Sequence, residues 1–231
     1  MYGWSCSRPR GTDVNLHTKA LTLSGPVGLL EALVDTPPHP APGAGTVVIA
    51  HPHPLFGGTM NNKVVQTLAR AFVHAGWSAI RFNFRGVGAS EGQYDHGVGE
   101  VDDMAAVLAQ VGPTDQVVAL AGFSFGAFVA ASTLARIGAS RLVRPVVLVG
   151  TAASRFAVPE IAQELRSHVL VIHGEQDETV PLAAVLDWAR PQGLPVTVVP
   201  GGEHFFHGQL NLLKSLVSRH LVSEAAVHPD R

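Results

Sequence analysis

The sequence has little cysteine and little charge. Cys6 is the only cysteine among 231 residues, so no disulfide can form within one chain, and a disulfide-stapled secreted fold is excluded. Charged residues make up only 15% of the chain, and the formal net charge is −2. Nucleic-acid binding needs clustered Lys and Arg, so we expect no nucleic-acid partner.

The sequence indicates neither a signal peptide nor a membrane-spanning helix. Residues 1–13 contain no apolar run of the signal-peptide kind, and we therefore expect a cytoplasmic protein. Residues 117–135 are uncharged and long enough to resemble a membrane span, but they contain small and polar residues and no basic cluster flanks them. A buried parallel strand followed by a core-facing helix has the same composition, so we expect no membrane partner.

What the sequence does contain is an alternation of strand-like and helix-like segments over most of its length. With 46% hydrophobic residues, the chain is long enough for one domain with a buried core. The predicted strands cover residues 20–24, 29–34, 46–50, 78–82, 117–121, 145–149, 169–172 and 195–199. The predicted helices cover residues 61–74, 98–110, 125–137, 159–166, 182–189 and 206–221.

This alternation is typical of a mostly parallel sheet with helices on both faces, here with about eight strands and a hairpin at the front. We predict an α/β fold formed by a single domain over residues 18–231, preceded by an irregular extension over residues 1–17.

The pentapeptide Gly122-Phe-Ser-Phe-Gly126 lies between a predicted strand and a predicted helix. This is the layout of a nucleophile elbow, in which glycines allow a strand to turn directly into a helix while the serine hydroxyl projects above the sheet. The pentapeptide alone is weak evidence, since chance produces it in roughly one chain in ten of this length. Whether Ser124 is a nucleophile therefore depends on the other motifs of the sequence.

A serine nucleophile needs a base, and the base needs an orienting carboxylate. In a parallel sheet these groups lie at the carboxyl ends of strands. Asp177 follows the predicted strand 169–172, and His204 follows the predicted strand 195–199. The order Ser, Asp, His is that of α/β-hydrolases and differs from the orders of chymotrypsin and subtilisin.

Several motifs in order along the chain carry a resemblance to the α/β-hydrolases, and in particular to small bacterial hydrolases related to dienelactone hydrolases. The motifs are HPHPLFGGTMNNK at 51–63, RFNFRGVGASEG at 81–92, GFSFGA at 122–127, HGEQDETVP at 173–181 and HFFHG at 204–208. The resemblance extends over about residues 20–222. It implies Ser124 as nucleophile, Asp177 as orienting acid and His204 as base. Dienelactone hydrolases proper have a cysteine where this chain has Ser124.

Each triad residue has a competitor nearby. Glu175 is the fallback for Asp177, because acidic loops usually face water and Asp177 is preferred only on its motif. His207 competes with His204, which is preferred because it precedes the predicted final helix and is free to reach the site.

An oxyanion hole needs two backbone N–H groups, one from Phe125 and one from the loop after the strand 46–50. Prolines 52 and 54 cannot donate, which leaves His53, Leu55 and Phe56; we predict Leu55, with His53 second. His51 and His53 form too small a set for a metal site, and structural support of the loop is the preferred interpretation.

Only 17 residues, 151–167, separate the predicted strands 145–149 and 169–172, so we expect no cap domain and an open site. Phe56, Phe123 and Phe205 are predicted to line it, although Phe123, like Phe125, could instead point into the core. Small or exposed acyl groups suit such a site.

We predict a serine hydrolase that cleaves a small-molecule carboxylic ester through an acyl-enzyme, with no cofactor and no metal. The alternatives are a peptidase, amidase or thioesterase with the same triad, or a non-catalytic binding protein on the same fold. The sequence leaves the oligomeric state open.

Overall fold

The computed structural model describes residues 17–111, 117–138 and 142–227. The predicted N-terminal extension over residues 1–17 lies, apart from His17, outside the described residues.

The described part of the chain forms an eight-stranded sheet, and its order along the sheet is β1-β2-β4-β3-β5-β6-β7-β8. The strands are β1 (Thr18–Gly25), β2 (Gly28–Asp35), β3 (Thr46–Ala50), β4 (Ser78–Phe82), β5 (Val118–Phe123), β6 (Val143–Val149), β7 (Val169–Gly174) and β8 (Val196–Val199). β1 and β2 form an antiparallel hairpin, and β2 pairs antiparallel with β4. The remaining six strands, β3 to β8, are parallel to one another. The mostly parallel sheet predicted from the alternation is confirmed.

Helices cover both faces of this sheet, as predicted. They are α1 (Lys63–His74), α2 (Val98–Gln110), α3 (Phe125–Ile137), α4 (Leu182–Ala189) and α5 (Leu210–Val227). α1 and α5 pack on one face, and α2, α3 and α4 pack on the other. Because side chains alternate along a strand, Val48 of β3 points to the face covered by α2, α3 and α4. Its neighbours Val47 and Ile49 point to the face covered by α1 and α5.

The predicted helix over residues 159–166 is wrong. The segment instead ends in a short 3₁₀ helix, Gln163–His168, because tertiary hydrogen bonds replace the local ones. The Ile161 N–H donates to the side chain of Gln192 at 2.8 Å, and the Arg166 guanidinium donates to the backbone oxygens of Ile161 and Gln192. The connection from β6 to β7 therefore contains two turns of 3₁₀ helix and no cap domain.

The final helix begins later than predicted, at Leu210 instead of residue 206. Phe206 has a left-handed backbone with φ of +53°, which is rare for a residue with a side chain. Its N–H closes a turn onto the Glu203 oxygen, and its fully buried ring packs into the core beneath α1 and α5. Burial of the Phe206 ring in the core thus explains why α5 does not include this residue.

Candidate active site

The turn from β5 into α3 has the geometry that its two glycines predict. Ser124 has φ of +58° and ψ of −116°, a strained conformation at the start of α3. A Cβ on Gly122 would lie 2.1 Å from the Gly126 oxygen, and one on Gly126 would lie 2.3 Å from the Ala50 oxygen. Only glycine fits at either position, so the pentapeptide is a sterically required nucleophile elbow.

Ser124, His204 and Asp177 form a continuous hydrogen-bonded chain. His204 Nδ1 lies 2.6 Å from Asp177 Oδ2, and His204 Nε2 lies 3.0 Å from Ser124 Oγ. Because a carboxylate can only accept, Nδ1 carries the proton and Nε2 is free to accept from the serine hydroxyl. Each of the three residues is at most 7% exposed, so these bonds are largely shielded from water. The structure brings together the three residues that the sequence order singled out.

Backbone N–H groups of the segment after β7 favour the ionised form of Asp177. Its Oδ1 accepts from the N–H groups of Thr179 at 2.9 Å and Val180 at 2.8 Å. Burial acts to raise the pKa of Asp177, but the hydrogen bonds from His204 and from the Val180 N–H outweigh it, and the pKa is lowered. The ionised carboxylate can therefore balance a developing charge on His204.

A second histidine, His173, to which no role was assigned from the sequence, packs against this carboxylate. His173 is fully buried at the end of β7, and its Nε2 lies 3.5 Å from Asp177 Oδ2. Its Nε2–H donates to the Val180 oxygen at 2.9 Å. Burial lowers the pKa of His173, so the ring is neutral and braces the Asp177 turn without adding charge. Its position at a strand end, four residues before Asp177, was the available signal.

The competing acid and base lie away from the serine. Glu175 is exposed and accepts from the Gly201 N–H at 2.8 Å, which ties the β7 and β8 loops together. His207 is exposed and pairs with Glu203 at 3.2 Å. Neither residue is among those that line the cleft around Ser124.

The loop after β3 does not offer the Leu55 N–H to the serine, and this prediction is corrected. Leu55 is 67% exposed, does not line the cleft, and its N–H donates to His53 Nδ1 at 3.2 Å. The N–H groups of Phe56 and Gly58 both donate to the His53 oxygen, and that of Gly57 donates to the Pro54 oxygen. Since Pro52 and Pro54 have no N–H, the His53 N–H is the one left uncommitted between residues 52 and 58.

His51 and His53 each use both ring nitrogens to hold this loop. His51 Nε2 accepts from the Phe84 N–H at 3.1 Å, so its Nδ1 carries the proton that is donated to the Pro52 oxygen at 2.6 Å. Burial lowers the pKa of His51 to about 4. His53 Nδ1 accepts from Leu55, so its Nε2–H donates to the Tyr94 hydroxyl at 3.0 Å. Both rings are loop supports.

Around Ser124 the surface forms an open cleft of about 390 Å³. Its lining residues are Pro52, His53, Phe56, Gly57, Gly58, Asn62, Ser124, Phe125, Ala152, Arg155, Phe156, Thr179, Val180, His204 and Phe205. Phe56 and Phe205 lie in the wall as predicted, and so does Phe125, the first residue of α3. Phe123 does not: it is fully buried with its ring 4.9 Å from the His204 ring, so it packs behind His204.

Across residues 17–111, 117–138 and 142–227, no three His, Cys, Asp or Glu side chains group so that they could hold a metal ion. In the same ranges, no helix has the length and apolar character needed to cross a membrane.

Comparison with known proteins shows the family to which this chain belongs. A family model described as an alpha/beta hydrolase domain matches residues 43–215. The chain belongs to the α/β-hydrolases. The hydrolase structure from Xanthomonas campestris described as an α/β serine hydrolase without a lid is 38% identical and superimposes with a TM-score of 0.79 over 90% of this chain and 95% of that one.

Two other relatives are similar to this hydrolase. An α/β serine hydrolase homologue from Coxiella burnetii is 40% identical, with a TM-score of 0.74 over 88% of this chain and 97% of that one. An uncharacterized protein from Rickettsia prowazekii is 46% identical over 99 residues, which is 42% of each chain. This chain thus spans under half the length of that curated relative.

Proposed function

We propose that this α/β-hydrolase is a serine carboxylesterase that cleaves esters of small or exposed acyl groups through an acyl-enzyme. The observation that carries the proposal is the hydrogen-bonded chain from Ser124 Oγ through His204 to Asp177, with the proton of His204 on Nδ1. In this arrangement Nε2 can accept the serine proton without any change of tautomer.

In the first half of the proposed reaction, His204 Nε2 takes the hydroxyl proton as Ser124 Oγ forms a bond to the ester carbonyl carbon. Asp177 stabilises the imidazolium that results. The tetrahedral intermediate collapses as the bond to the alcohol oxygen breaks, and His204 returns its proton to that oxygen. The alcohol leaves and the acyl group stays on Ser124.

In the second half, a water molecule replaces the alcohol. His204 Nε2 takes a proton from the water as the water oxygen attacks the acyl carbon. The same proton is then transferred to Ser124 Oγ as the bond between Oγ and the acyl carbon breaks and the acid leaves. No redox step and no cofactor enter this cycle, since the proton that His204 accepts is returned in each half.

For the oxyanion we propose the N–H groups of Phe125 and His53. Phe125 is the first residue of α3, where an N–H has no acceptor within the helix. His53 is supported by its hydrogen bonds to Leu55 and Tyr94, and its ring packs 5.0 Å from the Phe125 ring. That ring contact brings the side chains of the two proposed donors together at the cleft, which supports the assignment.

The shape of the cleft supports small or exposed acyl groups. The β6–β7 connection contains only a short 3₁₀ helix, so no lid encloses a long chain. Phe56, which lines the cleft, is 79% exposed, and the wall beside it is open to water. A long acyl chain would therefore leave much of its apolar surface in water and would gain little binding energy.

The test is steady-state hydrolysis of 4-nitrophenyl acetate and butyrate by the wild type and by Ser124→Ala, Asp177→Asn and His204→Gln. We expect Ser124→Ala to lose at least about a thousandfold in kcat, with its melting temperature retained. Glu175→Gln and His207→Gln are the matched controls and should keep wild-type rates. A folded wild type without esterase activity would refute the proposal. Preference for a 4-nitroanilide or a thioester would reassign the same triad to amide or thioester cleavage.

A further inference from the structure

The cleft wall carries one permanently charged side chain, Arg155. The other ionisable groups that line it are His53, whose Nδ1 accepts a hydrogen bond and so carries no proton, and His204, the proposed base. Asp177 lies behind His204 and does not reach the wall. Among the residues that the structure describes, the lining therefore combines aromatic rings and backbone with a single positive charge.

Arg155 is held at the wall by an ordered turn. The N–H groups of Arg155 and Phe156 both donate to the Ala152 oxygen at 3.1 Å. The Phe156 ring stacks on Phe128 with centroids 4.7 Å apart and lies 5.1 Å from the Phe125 ring. The turn after β6 is therefore fixed to α3, immediately beside the residue that follows the nucleophile.

The guanidinium of Arg155 is exposed and makes no ion pair within 4.0 Å with a carboxylate of the described residues. Glu178, next in sequence to Thr179 of the cleft wall, forms no ion pair with Arg155. After burial, Arg155 is the next largest cause that lowers the pKa of His53, so its field reaches the proposed oxyanion loop. The charge is available to a ligand in the cleft.

We infer that Arg155 is a specificity-determining residue that binds a carboxylate of the substrate, so that the favoured substrates are esters carrying a negative charge close to the scissile bond. The inference rests on the proposed esterase function. Arginine suits the role because its planar guanidinium can donate two parallel hydrogen bonds to one carboxylate. An exposed pair is partly screened, so we expect a preference of about three- to tenfold, which salt reduces.

The experiment compares esters that differ only in charge. With the charge in the acyl group, the pair is 4-nitrophenyl hydrogen adipate and its methyl ester. With the charge in the alcohol, the pair is 3-acetoxybenzoate and its methyl ester. For each pair the ratio of kcat/KM, charged over neutral, is measured for the wild type, Arg155→Lys, Arg155→Gln and Arg155→Glu. Arg219→Gln is the control, because it removes an exposed positive charge on α5 outside the cleft.

We expect at least one pair to give a wild-type ratio that falls about three- to tenfold in Arg155→Gln and falls further in Arg155→Glu. The ratio should be partly kept in Arg155→Lys, which retains the charge without the two parallel hydrogen bonds, and unchanged in Arg219→Gln. The loss should lie in KM of the charged ester, and 0.5 M NaCl should reduce the wild-type ratio. Equal losses for charged and neutral esters, or ratios that Arg155→Glu leaves unchanged in both pairs, would overturn the inference. If the wild type hydrolysed none of the four esters, the proposed function itself would fail.

Discussion

Acidification should destabilise this hydrolase through His51, the histidine at the start of the loop after β3. The ring is fully buried, and burial lowers its pKa from 6.5 to about 4. A proton on Nε2 would break the hydrogen bond from the Phe84 N–H and would place a charge in the core. The folded state therefore resists protonation, whereas an unfolded chain takes up the proton freely.

The size of the effect follows from the two pKa values. Above pH 6.5 both states are neutral, so His51 leaves the free energy of unfolding unchanged. Between pH 6.5 and about 4 only the unfolded state is protonated, and stability falls with pH. This amounts to about 2 kcal/mol between pH 7 and pH 5, and to about 3 kcal/mol once the pH is below 4.

Urea denaturation at pH 7, 6 and 5 measures this dependence for the wild type and for His51→Gln. The variant is expected to be less stable at pH 7, but the drop in its free energy of unfolding between pH 7 and pH 5 should be about 2 kcal/mol smaller than that of the wild type. His39→Gln, at an exposed site in the loop between β2 and β3, should keep the wild-type drop. Equal drops in the wild type and His51→Gln would show that His51 does not cause the loss of stability in acid.

Three further predictions concern the core, the oxyanion loop and the cleft. Asp35→Ala leaves the fully buried Arg81 without its carboxylate and should cost about 3–5 kcal/mol by urea denaturation; a loss under about 1 kcal/mol would contradict the account. Tyr94→Phe removes the acceptor of the His53 Nε2–H and should lower kcat for 4-nitrophenyl acetate about three- to tenfold with KM little changed; an unchanged kcat would argue against a supporting role. Across 4-nitrophenyl esters of rising acyl length, kcat/KM should be highest for acetate and butyrate, and a maximum at laurate would exclude the open-cleft interpretation.

The sheet and the elbow could be predicted from the sequence because their signals are local and repeated. The uninterrupted apolar strands alternate with helix-period segments, and α3 has the predicted bounds, since Ser124 and Gly138 bracket it. The order Ser124, Asp177, His204 carried long-range information, because each residue follows a strand that ends at the same edge of a parallel sheet.

The remaining features depend on tertiary contacts that the sequence does not reveal. Leu55 was preferred to His53 as a donor because the hydrogen bond from the Leu55 N–H to the His53 ring cannot be read from the loop sequence. The late start of α5 likewise depends on where the Phe206 ring is buried. Phe123 is different, since period-two alternation places it on the same face of β5 as the buried Ala119 and Ala121. That signal was present in the sequence.

The most direct test of the proposed nucleophile is covalent labelling with a fluorophosphonate, followed by intact-mass measurement and peptide mapping. Attack by Ser124 Oγ on phosphorus expels fluoride, so we predict a single adduct on the peptide that contains Ser124. The adduct should be absent in Ser124→Ala and much slower to form in His204→Gln, while Glu175→Gln should label like the wild type. A folded wild type that stays unlabelled, or an adduct that persists in Ser124→Ala, would contradict the account.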